Sequence, residues 1–276
     1  MKQSAILTQR YSFFKLIQKV LFRQRMPLDK FEPIGLRFTD VQPNNKEIIA
    51  FKAMFSCDEL PVSYMFIVAF RYLGQLLITS KIPSKLMGMI HISSRYQIMQ
   101  PHNWLAPTDI EVRIEKCSEN EKGITYLLQT YFYQLGQVTL INENQFLDKN
   151  LAYRNDKVIK GNILPNVKEL TRKTFTASTA REYARVSGDF NPIHLHPWLA
   201  KLLGMKSSVI HGMYGVHWLL TQQSARELAD KTVINVQFNR PCYLPTQVLL
   251  TKYCEEEGYA LFSDSLKDRF VKLNFA

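Results

Sequence analysis

Hydrophobic and polar positions along the chain fall into two similar successions of elements. In the first, residues 61–80 (PVSYMFIVAFRYLGQLLITS) are apolar nearly all round, which predicts a helix buried inside a domain rather than one lying on its surface. Arg71 and Gln75 interrupt the stretch and Gly74 weakens it, so it reads as core and not as a membrane span. Ahead of it, residues 30–60 alternate and turn, with Phe38, Val41, Ile48 and Phe51 as expected strand positions around Pro43-Asn44-Asn45. Behind it, strands are expected at 90–99, 108–117, 124–133 and 138–144, with a turn at 118–123.

The second succession repeats that order: a helix from Gly212 to about residue 228, then strands at 233–238, 246–254, 259–263 and 269–275. Thr108 and Thr246 each follow a proline, Cys117 and Cys254 each close the next strand, and Gly123 and Gly258 each precede another. This shared order at a spacing of about 138 residues predicts an internal duplication. The expected organisation is an extension at 1–29, a first domain at 30–145, a polar linker at 146–165 and a second domain at 166–276. Within the extension, residues 11–23 set Lys15, Lys19 and Arg23 on one helical face, with Phe14, Ile17 and Leu21 on the others. Such a helix either lies on the first domain with its lysines in water or attaches to a membrane surface.

Composition narrows the classes. With 276 residues, 46% hydrophobic and 12% aromatic, the chain has ample material for a packed core. Lys and Arg number 35 against 24 Asp and Glu, a net charge of +11 that suits an anionic partner: nucleic acid, lipid surface or phosphorylated cofactor. Zinc-finger spacing, RNP-like motifs and sustained basic blocks are missing, so no nucleic acid is expected. Cys57, Cys117, Cys242 and Cys254 lie apart without CxxC spacing, and no cleavable leader is evident, so a cytoplasmic location is expected.

Candidate chemistry is concentrated between Tyr183 and Met213. Ser187-Gly188-Asp189 leads into Asn191-Pro192-Ile193-His194 through a segment expected to be irregular, because Pro192 disfavours the helical region for Asn191 and Gly188 permits a sharp turn. A carboxylate and an imidazole are thereby aimed into one space. Alone, Asp189 would read as a cap on backbone N–H groups. Ile210-His211-Gly212-Met213 follows, directly ahead of the apolar helix, where free N–H groups at a helix start, one of them on a glycine, suit a substrate carbonyl oxygen. His196 is expected at the rim, His217 as a satisfied core histidine, and His211 as shaping the helix entrance. His194 and His196 lack a third ligand at recognisable spacing, so no metal is expected. The serines lack a GxSxG elbow, and no Gly-rich phosphate or dinucleotide loop is present.

The pattern carried by Tyr183, Ser187-Gly188-Asp189, Asn191-Pro192-Ile193-His194, Ala200, Gly204 and Ile210-His211-Gly212-Met213 resembles the MaoC-like, or R-specific enoyl-CoA hydratase (hydratase 2), family. The resemblance covers roughly the last 110 residues. It implies an α+β double hot-dog fold, in which two copies of an antiparallel sheet, each wrapped around a central helix, pair as a pseudo-dimer within one chain. It also implies a catalytic Asp189–His194 pair with Asn191 in support, the Gly212 amide in an oxyanion hole, and no redox cofactor. Ile210, His211, Met213, Arg240, Met65 and Met87 are the expected substrate-contacting residues. The implied reaction is reversible hydration of a trans-2-enoyl thioester to a (3R)-3-hydroxyacyl thioester, on coenzyme A or acyl-carrier protein, with a homodimer open. Thioester hydrolysis and non-catalytic acyl-thioester binding stay open as alternatives. Where the family often has an aspartate after the histidine and a Pro-Gly-Asp turn, this chain has His196 and Pro245-Thr246-Gln247.

Two expectations follow from the sequence alone. Co-sedimentation with anionic vesicles at low salt should drop when Lys15, Lys19 and Arg23 are neutralised; an intact protein that ignores such vesicles removes the membrane reading. The first copy has no acid/base motif, and the region of Met65 and Met87 is expected to leave room for a medium or long acyl chain. With about 0.8 kcal/mol per buried methylene, kcat/KM should then rise from crotonyl- to dodecenoyl-CoA, and a steep fall beyond four carbons would mean a solid core.

Overall fold

The computed structural model describes residues 5–6, 27–84, 86, 89–150 and 166–276. The basic helix expected at 11–23, Met87 and residues 151–165 of the expected linker lie outside them. The chain divides into two compact units, residues 1–45 with 65–154, and residues 46–64 with 155–276.

The first unit contains β1 (Ala5–Ile6), β2 (Ile34–Val41), β3 (Ile90–Ile98), β4 (Thr108–Asn120), β5 (Gly123–Gln134) and β6 (Gln137–Lys149). Their order across the sheet is β1-β2-β4-β5-β6-β3, antiparallel except for the β1–β2 pair. Of the first half's two helices, α1 (Asn45–Phe55) and α2 (Tyr64–Thr79), it is α2 that serves as this unit's core helix. Tyr72 of α2 packs on Phe38 of β2 with ring centroids 4.4 Å apart, and Phe66 stacks on His91 of β3 at 5.4 Å. Strand β6 runs past the expected end at residue 144 because it is paired on both sides, with Phe146 opposite both His91 and Tyr126.

The second unit contains β7 (Val167–Phe175), α3 (Ala177–Ser187), α4 (Pro192–Leu195), α5 (Pro197–Leu202), α6 (Gly212–Thr221), α7 (Ala225–Leu228), β8 (Val233–Phe238), β9 (Thr246–Tyr253), β10 (Gly258–Ser263) and β11 (Arg269–Phe275). Its sheet order, β7-β9-β10-β11-β8, repeats β2-β4-β5-β6-β3 of the first unit, strand for strand. The paired glycines have a common cause. A Cβ on Gly123 would run into the carbonyl oxygen of Asp148, and one on Gly258 into that of Leu273, so each sits where a neighbouring strand comes too close for any side chain.

Two helices depart from expectation. Ile48 and Phe51 are not strand positions: they lie on α1, where Ile48, Phe51 and Phe55 recur at helical spacing and form its buried face. The Pro43-Asn44-Asn45 turn therefore starts a helix instead of a hairpin. The helix expected to run to about residue 228 stops at Thr221, whose hydroxyl bonds back to the carbonyls of His217 and Trp218. It restarts as α7 behind a Ser224–Glu227 capping box.

Around α6 the second unit is filled with rings. Phe175 meets Tyr214 and Trp218 at 5.0 and 5.4 Å, and Phe51 and Phe55 of α1 meet His217 at 5.1 and 5.6 Å. Nδ1 of the fully buried His217 shares a 2.7 Å hydrogen bond with the buried Ser63 hydroxyl, while its Nε2 has no partner among the described residues. His217 is thus a core histidine satisfied on one side. No helix among the described residues is long and apolar enough to cross a membrane, and all four cysteines are free.

Burial pushes His217 down from 6.5 to about 3, and in the first unit it pushes His91 down to about 4. The unfolded chain takes up these protons near 6.5 and the folded chain does not, so stability is complete above that pH and falls as pH drops from 6.5 towards 4. Each buried ring removes about 1.4 kcal/mol per pH unit, or about 2 kcal/mol between pH 6.5 and 5; the raised Asp189 carboxyl, described below, opposes this only for its own proton. The urea midpoint should therefore be lower at pH 5 than at pH 7.5, and His217→Leu should flatten that dependence. An unchanged midpoint across this range would mean that these rings accept protons in the folded state.

Candidate active site

The site begins where α3 ends. Thr176 caps the start of α3 in a capping box with Thr179, and Gly188 closes its end at φ 73°, a left-handed conformation that favours glycine. The Ser187 hydroxyl donates to the carbonyl of Tyr183 at 2.9 Å and accepts the Asp189 N–H at 3.2 Å, so the helix end and the following turn are stitched together by one side chain. The Asn191 N–H then donates to Asp189 Oδ1 at 3.1 Å. Each residue of Ser-Gly-Asp-x-Asn has a geometric task.

The segment after the turn is not wholly irregular, as the sequence suggested, because Pro192 occupies the first position of the one-turn helix α4. Asn191 is its N-cap at φ −57°, ψ 125°, with its Oδ1 accepting the Ile193 N–H at 3.4 Å. Pro192 does keep Asn191 out of the helical region, and in doing so it starts a helix. His194 rides on that turn and points back at Asp189. Two residues on, His196 caps α5, its Nδ1 accepting the Trp198 N–H at 3.2 Å, a task that a carboxylate performs equally well.

The pair itself is held apart and oriented. His194 Nε2 lies 3.9 Å from Asp189 Oδ2, too far for a direct hydrogen bond; the His194 side chain keeps 10% of its surface accessible and that of Asp189 25%. Nδ1 of His194 is 2.8 Å from the carbonyl oxygen of Val209. A carbonyl only accepts, so Nδ1 carries the hydrogen and the lone pair of the neutral ring is on Nε2. Burial raises the Asp189 carboxyl above its ordinary range, opposed by attraction to His194 and by the Asn191 N–H. Burial lowers His194, opposed by Asp189 and by Val209. Both shifts favour the uncharged forms.

His211, the N-cap of α6, closes the site from the other side. Its ring stacks on that of His194 with centroids 3.7 Å apart and planes 25° from parallel, and its Nε2 donates to the carbonyl of Asp189 at 2.9 Å. Gly212 follows at the first position of α6, where its N–H has no acceptor within the helix. A Cβ there would stand 2.8 Å from the Phe238 ring. Ile210 and Met213 are buried on either side of this pair, and Tyr183 meets the His211 ring edge-on at 4.8 Å.

Of the other expected substrate contacts, Arg240 is exposed and ion-paired with Asp268, and Met65 is fully buried on α2 in the core of the first unit. Val209 was not singled out by sequence reasoning, since it acts through a main-chain carbonyl that any residue would carry. The expectation that His194 has no third donor nearby is corrected: Asp189, His194 and His211 hold potential ligand atoms within 4.8 Å of one another. The fold brings His211 there from about seventeen residues away in sequence. Even so, the donors do not suit a metal ion. Imidazole nitrogens bind in the ring plane at about 2.0–2.1 Å, and planes stacked at this spacing and angle do not meet within that reach.

Residues 163–258 match the MaoC like domain family. The chain is 29% identical over 195 residues to 3-hydroxyacyl-thioester dehydratase X of Mycobacterium tuberculosis, covering 68% of each chain. The crystal structure of that organism's HtdX superposes with a TM-score of 0.74 at 22% identity, over 88% of this chain and 100% of that one. A second Mycobacterium tuberculosis protein, described as having a double hotdog fold, superposes with a TM-score of 0.53 at 11% identity, over 91% of this chain and 97% of the other. The chain, with its repeated sheet order, thus has the double hot-dog fold, and residues 163–258, which include the Asp-His turn, match the MaoC like domain.

Proposed function

We propose that the second unit catalyses the reversible hydration of trans-2-enoyl thioesters to (3R)-3-hydroxyacyl thioesters, as coenzyme A esters of medium or long chain. Similarity to a 3-hydroxyacyl-thioester dehydratase supports the reaction class. The observation that carries it is the 3.9 Å gap between His194 Nε2 and Asp189 Oδ2. A single water placed about 2.8 Å from both atoms bridges them, donating to the Nε2 lone pair and meeting Oδ2 as donor or as acceptor according to whether the carboxyl holds its proton, because partners at this spacing subtend roughly a right angle at its oxygen.

Hydration moves two protons. One leaves the water as its oxygen attacks C3, and one arrives at C2 as the enolate collapses. With Nδ1–H committed to Val209 and Oδ1 to the Asn191 N–H, the exchangeable positions are Nε2 and Oδ2, and both protons pass through them. Charge that builds on the thioester oxygen is met by the Gly212 N–H at the start of the ten-residue α6, where the helix dipole adds to the hydrogen bond. The same groups run the reaction backwards as a dehydration. Four free cysteines suit a reducing cytoplasm.

Asp189→Asn and His194→Ala should each lower kcat by about 10²–10⁴ in a protein that still folds. Gly212→Ala should lower kcat as well, since its methyl group meets Phe238 and pushes the start of α6 away. With a 2-enoyl-CoA, the wild type should remove the conjugated enoyl absorbance without freeing thiol. Release of thiol instead would make the protein a thioesterase, and binding with neither change would make it a non-catalytic carrier.

A further inference from the structure

His211 contacts both Asp189 and His194 from outside the turn that carries them, yet the proposed reaction gives it no proton to move. Its Nε2–H is spent on the main-chain carbonyl of Asp189. Its Nδ1 is buried and has no hydrogen-bond partner among the described residues. Its face covers the His194 ring at 3.7 Å, and Tyr183 backs it edge-on. Burial and the adjacent His194 hold it well below the ordinary histidine range, so it stays neutral when His194 takes a proton.

We propose that His211 is a positioning residue that sets Asp189 and His194 relative to one another, holding the first by its main-chain carbonyl and the second by its ring face. This rests on the hydratase reading above. Asp189 is otherwise anchored by the turn it sits in, through Ser187 and Asn191, and His194 by Val209. Asn191 lies within the same turn and bonds to both, whereas His211 reaches both from a separate segment, and its backbone leads directly into Gly212. A flat ring prevents His194 from tilting out of line, and a neutral ring does so without competing for its proton. A cation at this place would repel the imidazolium that forms during turnover.

Two substitutions separate the contributions. His211→Phe keeps a flat ring on His194 and loses the donor to Asp189; His211→Gln keeps a donor within reach of that carbonyl. In the full-length chain with trans-2-decenoyl-CoA, His211→Phe should lower kcat about 10- to 100-fold with KM changed less than about threefold, and His211→Gln should restore kcat to within about fivefold of wild type. Nitrogen-15 NMR of the His194 ring, which needs no substrate, should show a single Nδ1–H tautomer in the wild type and in His211→Phe, which keeps the flat ring, and a mixture in His211→Gln, which loses it. The proposal is overturned if His211→Phe keeps wild-type kcat, if both variants lose activity equally, or if the His194 signal is unchanged in His211→Gln. A wild type inert towards enoyl thioesters would instead sink the hydratase reading, and the His194 signal would still decide the positioning role.

Discussion

The hydrogen bond from His194 Nδ1 to the carbonyl of Val209 decides what the site can do. It selects the tautomer, aims Nε2 at Asp189 and fixes the ring in one plane. A carbonyl can do this only if its own backbone does not move, and residues 208–210 are tied on both sides. The Val209 N–H donates to Ile193, next to His194; the Ile210 N–H donates to Cys242; and the Leu244 N–H donates to Ser208. Val209 also bridges Tyr243 in antiparallel fashion. Residues 208–210, braced by the connection between β8 and β9, thereby serve as the fixed support from which the histidine is hung, and they continue into His211 and Gly212.

The repeated sheet order shows one architecture used twice with different interiors. In the second unit the inner space is spent on rings around α6 and on a half-buried acid–base pair. In the first copy of the sequence, the corresponding turn region carries Cys57-Asp58-Glu59-Leu60 and no imidazole, and in the first unit no such pair is formed among the described residues. Instead the inner face of β3 and β6 carries a buried polar array: Ser94 donates to Asn144, Asn142 donates to Ser94 and to the carbonyl of Arg95, and His91 meets Asn144 at 3.0 Å. Such networks are costly when broken and rigid when complete. Here each of these side chains has its partners, so the first unit reads as a firm half of the scaffold.

Much of this was legible from residue order. The long apolar helix, the strands and the duplication followed from periodicity and punctuation, because each is a local pattern repeated over many residues. The Asp189–His194 pairing was legible because glycine and proline constrain the backbone between them. What could not be read was made by distant contacts or by the main chain. Val209 acts through a group that every residue has. The stacking of His211 on His194 depends on where α6 begins relative to α4. The short alternation around Ile48 and Phe51 fits strand and helix equally well until the partners are known, and its partners lie more than 150 residues further along, in α6.

That last arrangement bears on how separable the two halves are. The helix α1 and the loop to Ser63 stand in the first copy of the sequence, but they complete the second unit: Phe51 and Phe55 cover His217 and Tyr214, and Ser63 satisfies His217 Nδ1. A fragment beginning after the linker would keep every residue of the acid–base motif. It would also bare an aromatic face and leave a core imidazole with no partner on either nitrogen. The two halves of the sequence are in this sense not the two units of the fold, and cutting the chain at its midpoint separates the second sheet from a helix that it needs.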